Sequence, residues 1–219
     1  YNCTVSGNSN SGSSGGTLYN CIVSGNSGSG SSGGTLYDCI VSGNSGSGAS
    51  WCILYDCTLT GNSASDGGGA SMSTLYNCTL TGNSAEYSGG GAYGGTLYDC
   101  IVYFNTATNG ANYYTGLHDW GEEVVTLLNY SCTTPMPTNG VGNITADPLF
   151  VDAANGDFRL RPGSPCIDTG TNLVGLITAD ITGLLRPMDG NYDGLARFDM
   201  GAYEFNPYRF EPTLSLTAD

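Results

Sequence analysis

The chain has no lysine, a single histidine and only five arginines, all of them between Arg159 and Arg209, set against nineteen acidic residues. A formal net charge of −14 argues against a nucleic-acid partner, because phosphate binding draws on Lys and Arg. The balance points to cations instead. No apolar run approaches the ~20 residues that a membrane-spanning helix needs. No signal peptide is visible at Tyr1, which falls inside a repeat, as expected of a processed chain or a fragment of a longer array. Charge is scarce in the first half: residues 1–110 hold only Asp38, Asp56, Asp66, Glu86 and Asp99. With 35 glycines and so little charge, one ordinary globular core is not the expectation; a long, thin one is.

What the sequence does have is a period. The segment Thr-Leu-Tyr-Asn/Asp-Cys, followed by Gly-Asn, recurs so that Cys3, Cys21, Cys39 and Cys57 are each 18 residues apart, with Cys78 after 21 and Cys100 after 22. Tyr1, Tyr19, Tyr37, Tyr55, Tyr76 and Tyr98 form a second register, and Leu18, Leu36, Leu54, Leu75 and Leu97 a third. Asn8, Asn26, Asn44, Asn62, Asn83 and Asn105 form a fourth. Identical side chains at identical phase are the mark of a solenoid, in which each repeat buries its apolar face only against its neighbours. The expected fold is all-β, a parallel β-helix with coils of about 18–22 residues, longer coils toward the C-terminus, and a cap.

Within Thr17–Asn26, strand alternation sends Leu18, Cys21 and Val23 inward and Tyr19, Ile22 and Ser24 outward, with Asn20 at the corner between two extended pieces. Gly25 supplies the next corner, and Asn26 turns inward to bond backbone and the Asn of the next rung. The remaining Ser27–Gly34 holds only Ser and Gly, cannot form an amphipathic helix, and is read as a thin third wall. Six cysteines share one inward phase. Rungs about 4.7–4.9 Å apart exceed the ~3.5–4.5 Å between disulfide Cβ atoms, so Cys21, Cys39, Cys57, Cys78 and Cys100 are expected as a ladder of free thiols. Cys132 and Cys166 fall outside the ladder and are the disulfide candidates, and Cys52 sits in an irregular insert.

Val23-Ser24-Gly25-Asn26 and Leu80-Thr81-Gly82-Asn83, with the glycine run Gly89-Gly90-Gly91, resemble the polymorphic outer membrane protein type of right-handed parallel β-helix repeat. Asp147-Pro148-Leu149-Phe150, Asp157-Phe158-Arg159-Leu160, Ser164-Pro165-Cys166-Ile167-Asp168 and Asp199-Met200-Gly201-Ala202-Tyr203-Glu204-Phe205 resemble the choice-of-anchor Q domain of bacterial secreted proteins. Together the resemblances reach to about Pro207. They imply a right-handed β-helix in an exported, cell-surface setting, and no agreed biochemical activity. Three regions are expected: regular repeats over 1–110, larger irregular coils and a closing cap of the same solenoid over 111–205, and an extended tail over 206–219.

Asp189-Gly190-Asn191-Tyr192-Asp193-Gly194 matches the first half of a calcium loop. The twelfth position, where a bidentate carboxylate belongs, is Met200. Calcium, if bound, would take Asp189, Asn191, Asp193 and Asp199 as side-chain ligands and the Leu195 carbonyl; the competing reading is an Asx-rich turn. Among candidate chemistries, Asp38 and Asp56 share one phase of adjacent coils and could serve as a glycosidase pair, but Asn20 and Asn77 hold that phase on either side, so the position reads as a corner. His118, beside Asp119 and Trp120, has no identifiable nucleophile as partner. The outward column Tyr19, Tyr37, Tyr55, Tyr76 and Tyr98 is the strongest functional feature, either a sticky stripe for sugars or a partner, or a shield for the strands. The expected function is that of a non-catalytic, secreted or cell-surface structural or adhesive rod, with two versions. One is a filament subunit whose partner is the chain itself, by head-to-tail stacking or strand addition from the tail; the other is an adhesin contacting surface glycans. The alternative is a polysaccharide lyase or glycoside hydrolase.

Overall fold

The computed structural model describes residues 1–117, 121–171, 173 and 175–209. Each coil is built from two short strands that meet at a corner. Thr17–Tyr19 and Ile22–Ser24 are joined through Asn20, and the same corner recurs at Asp38, Asp56, Asn77 and Asp99, all with φ between 48° and 52°. That left-handed region favours Gly, Asn and Asp, which explains why Asn or Asp holds this register in the regular coils; in the last coil Tyr130 takes it, at φ 48°.

Stacking the coils yields a parallel β-helix. Thr4–Ser6, Ile22–Ser24, Ile40–Ser42, Thr58–Thr60, Thr79–Thr81, Ile101–Tyr103 and Cys132–Thr133 form one seven-stranded sheet, entirely parallel and in register, with Val23 over Val41 and Leu59 over Leu80. A second sheet carries the Thr-Leu-Tyr strands and continues through Ala70–Tyr76 into the serine strands Ser13–Ser14, Ser31–Ser32 and Ala49–Ser50, which are the thin third wall. Between the sheets lie columns of Leu36, Leu54, Leu75, Leu97 and Leu128, of Val23, Val41, Leu59, Leu80 and Val102, and of the ladder cysteines, all buried. Each fully buried leucine stabilises the stack by about 2 kcal/mol.

The asparagine ladder is continuous. Asn26, Asn44, Asn62 and Asn83 each donate Nδ2–H to the Oδ1 of the next asparagine, Asn44, Asn62, Asn83 and Asn105 respectively, at 2.8–3.0 Å. The third wall sits close to the core because its inward residue is glycine: a Cβ on Gly30 would lie 2.5 Å from Val41 Cγ1 and 2.6 Å from the Gly48 carbonyl oxygen. Gly30→Ala is therefore expected to destabilise the protein by about 2 kcal/mol in urea titration. An unchanged midpoint would mean that the wall is looser than described.

Residues 147–205, expected to continue and close the solenoid, lie along its flank. The last rung is met by the loop at 141–144, where Asn143 Nδ2 donates to the Leu128 carbonyl and Ile144 exchanges backbone bonds with Ser131 and Thr133. The antiparallel hairpin Phe150–Asp152 and Asp157–Leu160 then starts a second core of Phe150, Phe158, Leu160, Cys166, Met200 and Phe205 over Ile101 and Cys132. From there the segment runs back along the corner column. Gly201 N–H donates to the Asp99 carbonyl, Asn77 Nδ2 to that of Asp199, and Arg186 reaches Asp56. Its effect is visible on the outer register of the first sheet, where Ile22 and Ile40 are 43% and 39% exposed while Thr58, Thr79 and Ile101 are at most 2% exposed. The apolar Ile101 and Cys132 at one end, and the acidic corners along the way, give the segment its purchase.

Candidate functional site

The tyrosine column forms as the register requires. Successive rings of Tyr1, Tyr19, Tyr37, Tyr55, Tyr76 and Tyr98 lie 4.6–5.3 Å apart with planes within 7° of parallel. Such pairs contribute about 0.5–1.5 kcal/mol each beyond their burial. Stacking has a chemical consequence: ring faces are spent on neighbouring rings, so the column offers solvent its ring edges and a row of hydroxyls. Burial first, then the neighbouring phenols Tyr37 and Tyr76, raises the Tyr55 hydroxyl above its usual pKa, so it stays a hydrogen-bond donor at neutral pH.

Beside this row runs a groove of about 340 Å³ between the column and the returning segment, lined by Asn20, Tyr37, Asp38, Tyr55, Asp56 and Asp180 among others. Its carboxylates have different fates. Asp56 is buried and accepts from Arg186 Nη1 at 3.0 Å. Asp180 accepts from Thr182 N–H and Oγ1–H, Leu184 N–H and Glu204 N–H. Asp38 lies partly exposed at the groove, its pKa raised by burial and by Asp180 and lowered by Arg186. The lining contains no basic residue among the described residues.

Behind the groove one guanidinium serves several acids. Arg186, wholly buried, contacts Asp56, Glu204 (Nε to Oε2, 3.2 Å) and the Gly201 carbonyl, and lies 5.8 Å from the centroid of the Phe198 ring. Glu204 Oε1 accepts from Met188 N–H, and Asp199 accepts from Asp168 and Phe205 N–H. One cation cannot neutralise all of these acids. Burial lifts Asp56 to about 8 and Asp99 and Glu204 to about 7, and pushes Asp199 up as well. A carboxyl whose folded pKa exceeds its unfolded value of about 4 holds its proton more tightly when folded. The stability it confers is complete below about pH 4 and is lost as pH rises through 7 to 8. The melting temperature is accordingly expected to be higher near pH ~5 than near pH ~8 at fixed ionic strength. Equal or opposite values would show that these acids are ionised without cost.

The calcium-loop residues are only partly brought together. Asp189 accepts from the backbone N–H of Asp193 and Gly194, Asn191 Oδ1 from Asp193 N–H, and Asp193 Oδ1 from Leu195 N–H. Arg197 pairs with Asp193 at 2.9 Å and is the main reason that this carboxyl lies below its usual range. Asp199 is in the buried network instead. Among the described residues no three His, Cys, Asp or Glu side chains converge as a metal site.

In this structure all nine cysteines are in the reduced form. In the ladder Cys21 N–H and Cys39 N–H each meet the next sulfur at 3.4 Å, and burial keeps Cys57 and Cys78 protonated. Cys132 is displaced by one residue from this column. Ser131 takes the ladder place, accepting from Cys100 N–H at 3.1 Å, and Cys132 faces the second core, where it meets Cys166. His118, Asp119, Trp120 and residues 210–219 lie outside the described residues.

Sequence reasoning missed Asp180 and Arg186. Neither belongs to the repeat, and the partner of Arg186 stands 130 residues away. No family model matches the sequence, and no curated protein matches it, so the resemblances noted above rest on their motifs alone. Among solved structures, the fold is similar to that of pectate lyase Pel9A, at 14% identity and a TM-score of 0.48, over 93% of this chain and 70% of that one. Both chains are β-helices, and the likeness extends to the fold alone. Among the described residues no helix is long and apolar enough to cross a membrane.

Proposed function

We propose that this is a non-catalytic, secreted or cell-surface β-helix that contacts glycans along the tyrosine column and the groove beside it. The observation that carries the reading is the row of tyrosines repeating every 4.6–5.3 Å beside a groove that holds Asp38. A regular row of donors and a carboxylate suits the hydroxyl-rich edge of an extended polysaccharide. The groove's acidity and lack of a basic residue favour neutral or amino-sugar polymers over polyuronates, whose charge it would repel.

The carboxylates support binding over hydrolysis. A glycosidase needs two free carboxyl groups flanking the bond. Asp56 is committed to Arg186 and Asp180 to four donors, leaving Asp38 alone. Export is supported by the repeat and C-terminal motifs. Calcium, if bound at the Asp189–Asp193 loop, would compete with Arg197 for Asp193 and supply no chemistry. A panel of immobilised polysaccharides tests the proposal. Retention on neutral or amino-sugar polymers without release of oligosaccharide is expected; product release, or no retention on any polymer, would overturn it.

A further inference from the structure

We propose that Cys132 and Cys166 form a disulfide that staples the returning C-terminal segment to the last rung of the β-helix. The pair differs from the ladder thiols in how it is placed. Ladder sulfurs sit on hydrogen-bonded neighbouring strands, whose spacing of about 4.7–4.9 Å is set by the backbone and is too wide for an unstrained bridge. Each ladder thiol donates to the carbonyl two residues before it, as Cys39 does to Tyr37, whereas Cys132 donates to the Ala146 carbonyl of the following loop.

Cys132 and Cys166 belong to segments that share no strand pairing, so nothing in a ladder fixes their separation. Cys132 stands on the outer face of the last strand of the first sheet because Ser131 fills the ladder position. Cys166 is delivered from the other side: its carbonyl accepts from Met200 N–H, and its N–H donates to Ser164 Oγ. Both side chains are buried in the second core, where Cys132 and Cys166 belong to one cluster with Ile101, Ile167 and Met200 and the Cys132 thiol donates to the Ala146 carbonyl at 3.2 Å. The odd cysteine total is no obstacle, since seven remain for the ladder and the insert.

The chemistry balances with a small-molecule disulfide as oxidant. One thiolate attacks it and expels a thiolate, forming a mixed disulfide. The second cysteine then attacks that sulfur and expels the other half. The two protein thiols lose two electrons and two protons, and the oxidant becomes two thiols. Because the sulfurs are buried once the segment docks, exchange takes place before docking is complete. The bond implies an oxidising compartment, and it does not rest on the glycan reading.

The test is to fold the chain with oxidised and reduced glutathione, unfold it under acid quench, and alkylate. Seven modified cysteines are expected, against nine after reduction. Cleavage after arginine then isolates the stretch from Leu160 to Arg197, in which Cys166 is the sole cysteine and Arg161 and Arg186 are shielded by following prolines. This peptide should stay linked to the 1–159 fragment until reduced, and a second digestion should place the partner at Cys132. Reductant should lower the melting temperature of the parent by roughly 10 °C, and should leave that of Cys166→Ser unmoved whatever the variant's own starting stability. Nine free thiols, or a bridge within the ladder, would overturn the proposal.

Discussion

Replacing Arg186 by alanine should destabilise the protein by about 4 kcal/mol once the pH exceeds ~8, because it strands buried carboxylates that contact no other cation among the described residues. Asp56 and Glu204 both contact this guanidinium at 3.0–3.2 Å, and the Gly201 carbonyl accepts from it as well. The loss should shrink in acid, where Asp56 and Glu204 can bind protons in place of the ion pair. It should grow as pH passes 7 to 8. Pairing the change with Asp56→Leu should recover part of the stability, since an apolar substitute for a buried ion pair is often tolerated. Denaturant titrations of the parent, the single and the double variant at two pH values would read all three effects. A loss that does not vary with pH would contradict the charge argument.

Asn62→Ala should cost about 3 kcal/mol or more, a large effect for so small a truncation. The wholly buried Asn62 side chain accepts from Asn44 N–H and Nδ2–H, and donates to the Val41 carbonyl and to Asn83 Oδ1. Its removal leaves several buried polar groups unpaired in a core too tightly stacked to admit compensation. The Asn8 side chain, at an exposed position in the first coil, donates to Asn26 Oδ1 and should tolerate alanine with a loss below about 1 kcal/mol. Comparable losses at the two positions would show that the ladder does not act through burial.

The ladders were legible because stacking maps period directly onto contact: an 18-residue spacing at Leu36 and Leu54, or at Asn44 and Asn62, becomes one rung of separation. Corners were legible too, since Asn20 and Asp38 alternate at a position with one backbone requirement. The returning segment was not. Its contacts join Asp56 to Arg186, Asp99 to Thr171 and Thr79 to Ala202, pairs more than 70 residues apart with no shared phase. The sequence motif around Asp199 and Glu204 marked that stretch without revealing that its acids bind backbone N–H groups and Arg186. Likewise, the tyrosine register predicted a column, but whether faces or edges meet solvent depends on the tilt of the rings. The shift that turns Cys132 outward depends on Ser131 occupying the ladder, a choice made by strand register in a long coil.

Substituting phenylalanine for Tyr37 and Tyr55 together keeps the stacked rings and deletes the hydroxyls of the two tyrosines that line the groove. Equilibrium binding of this variant to the best-retained polysaccharide, measured alongside its melting temperature, tests the contact face most directly. Affinity about tenfold weaker with the melting temperature preserved is the expected outcome, two lost hydrogen bonds at about 0.5–1.5 kcal/mol each. Undiminished affinity would mean that the tyrosine hydroxyls do not make the contact.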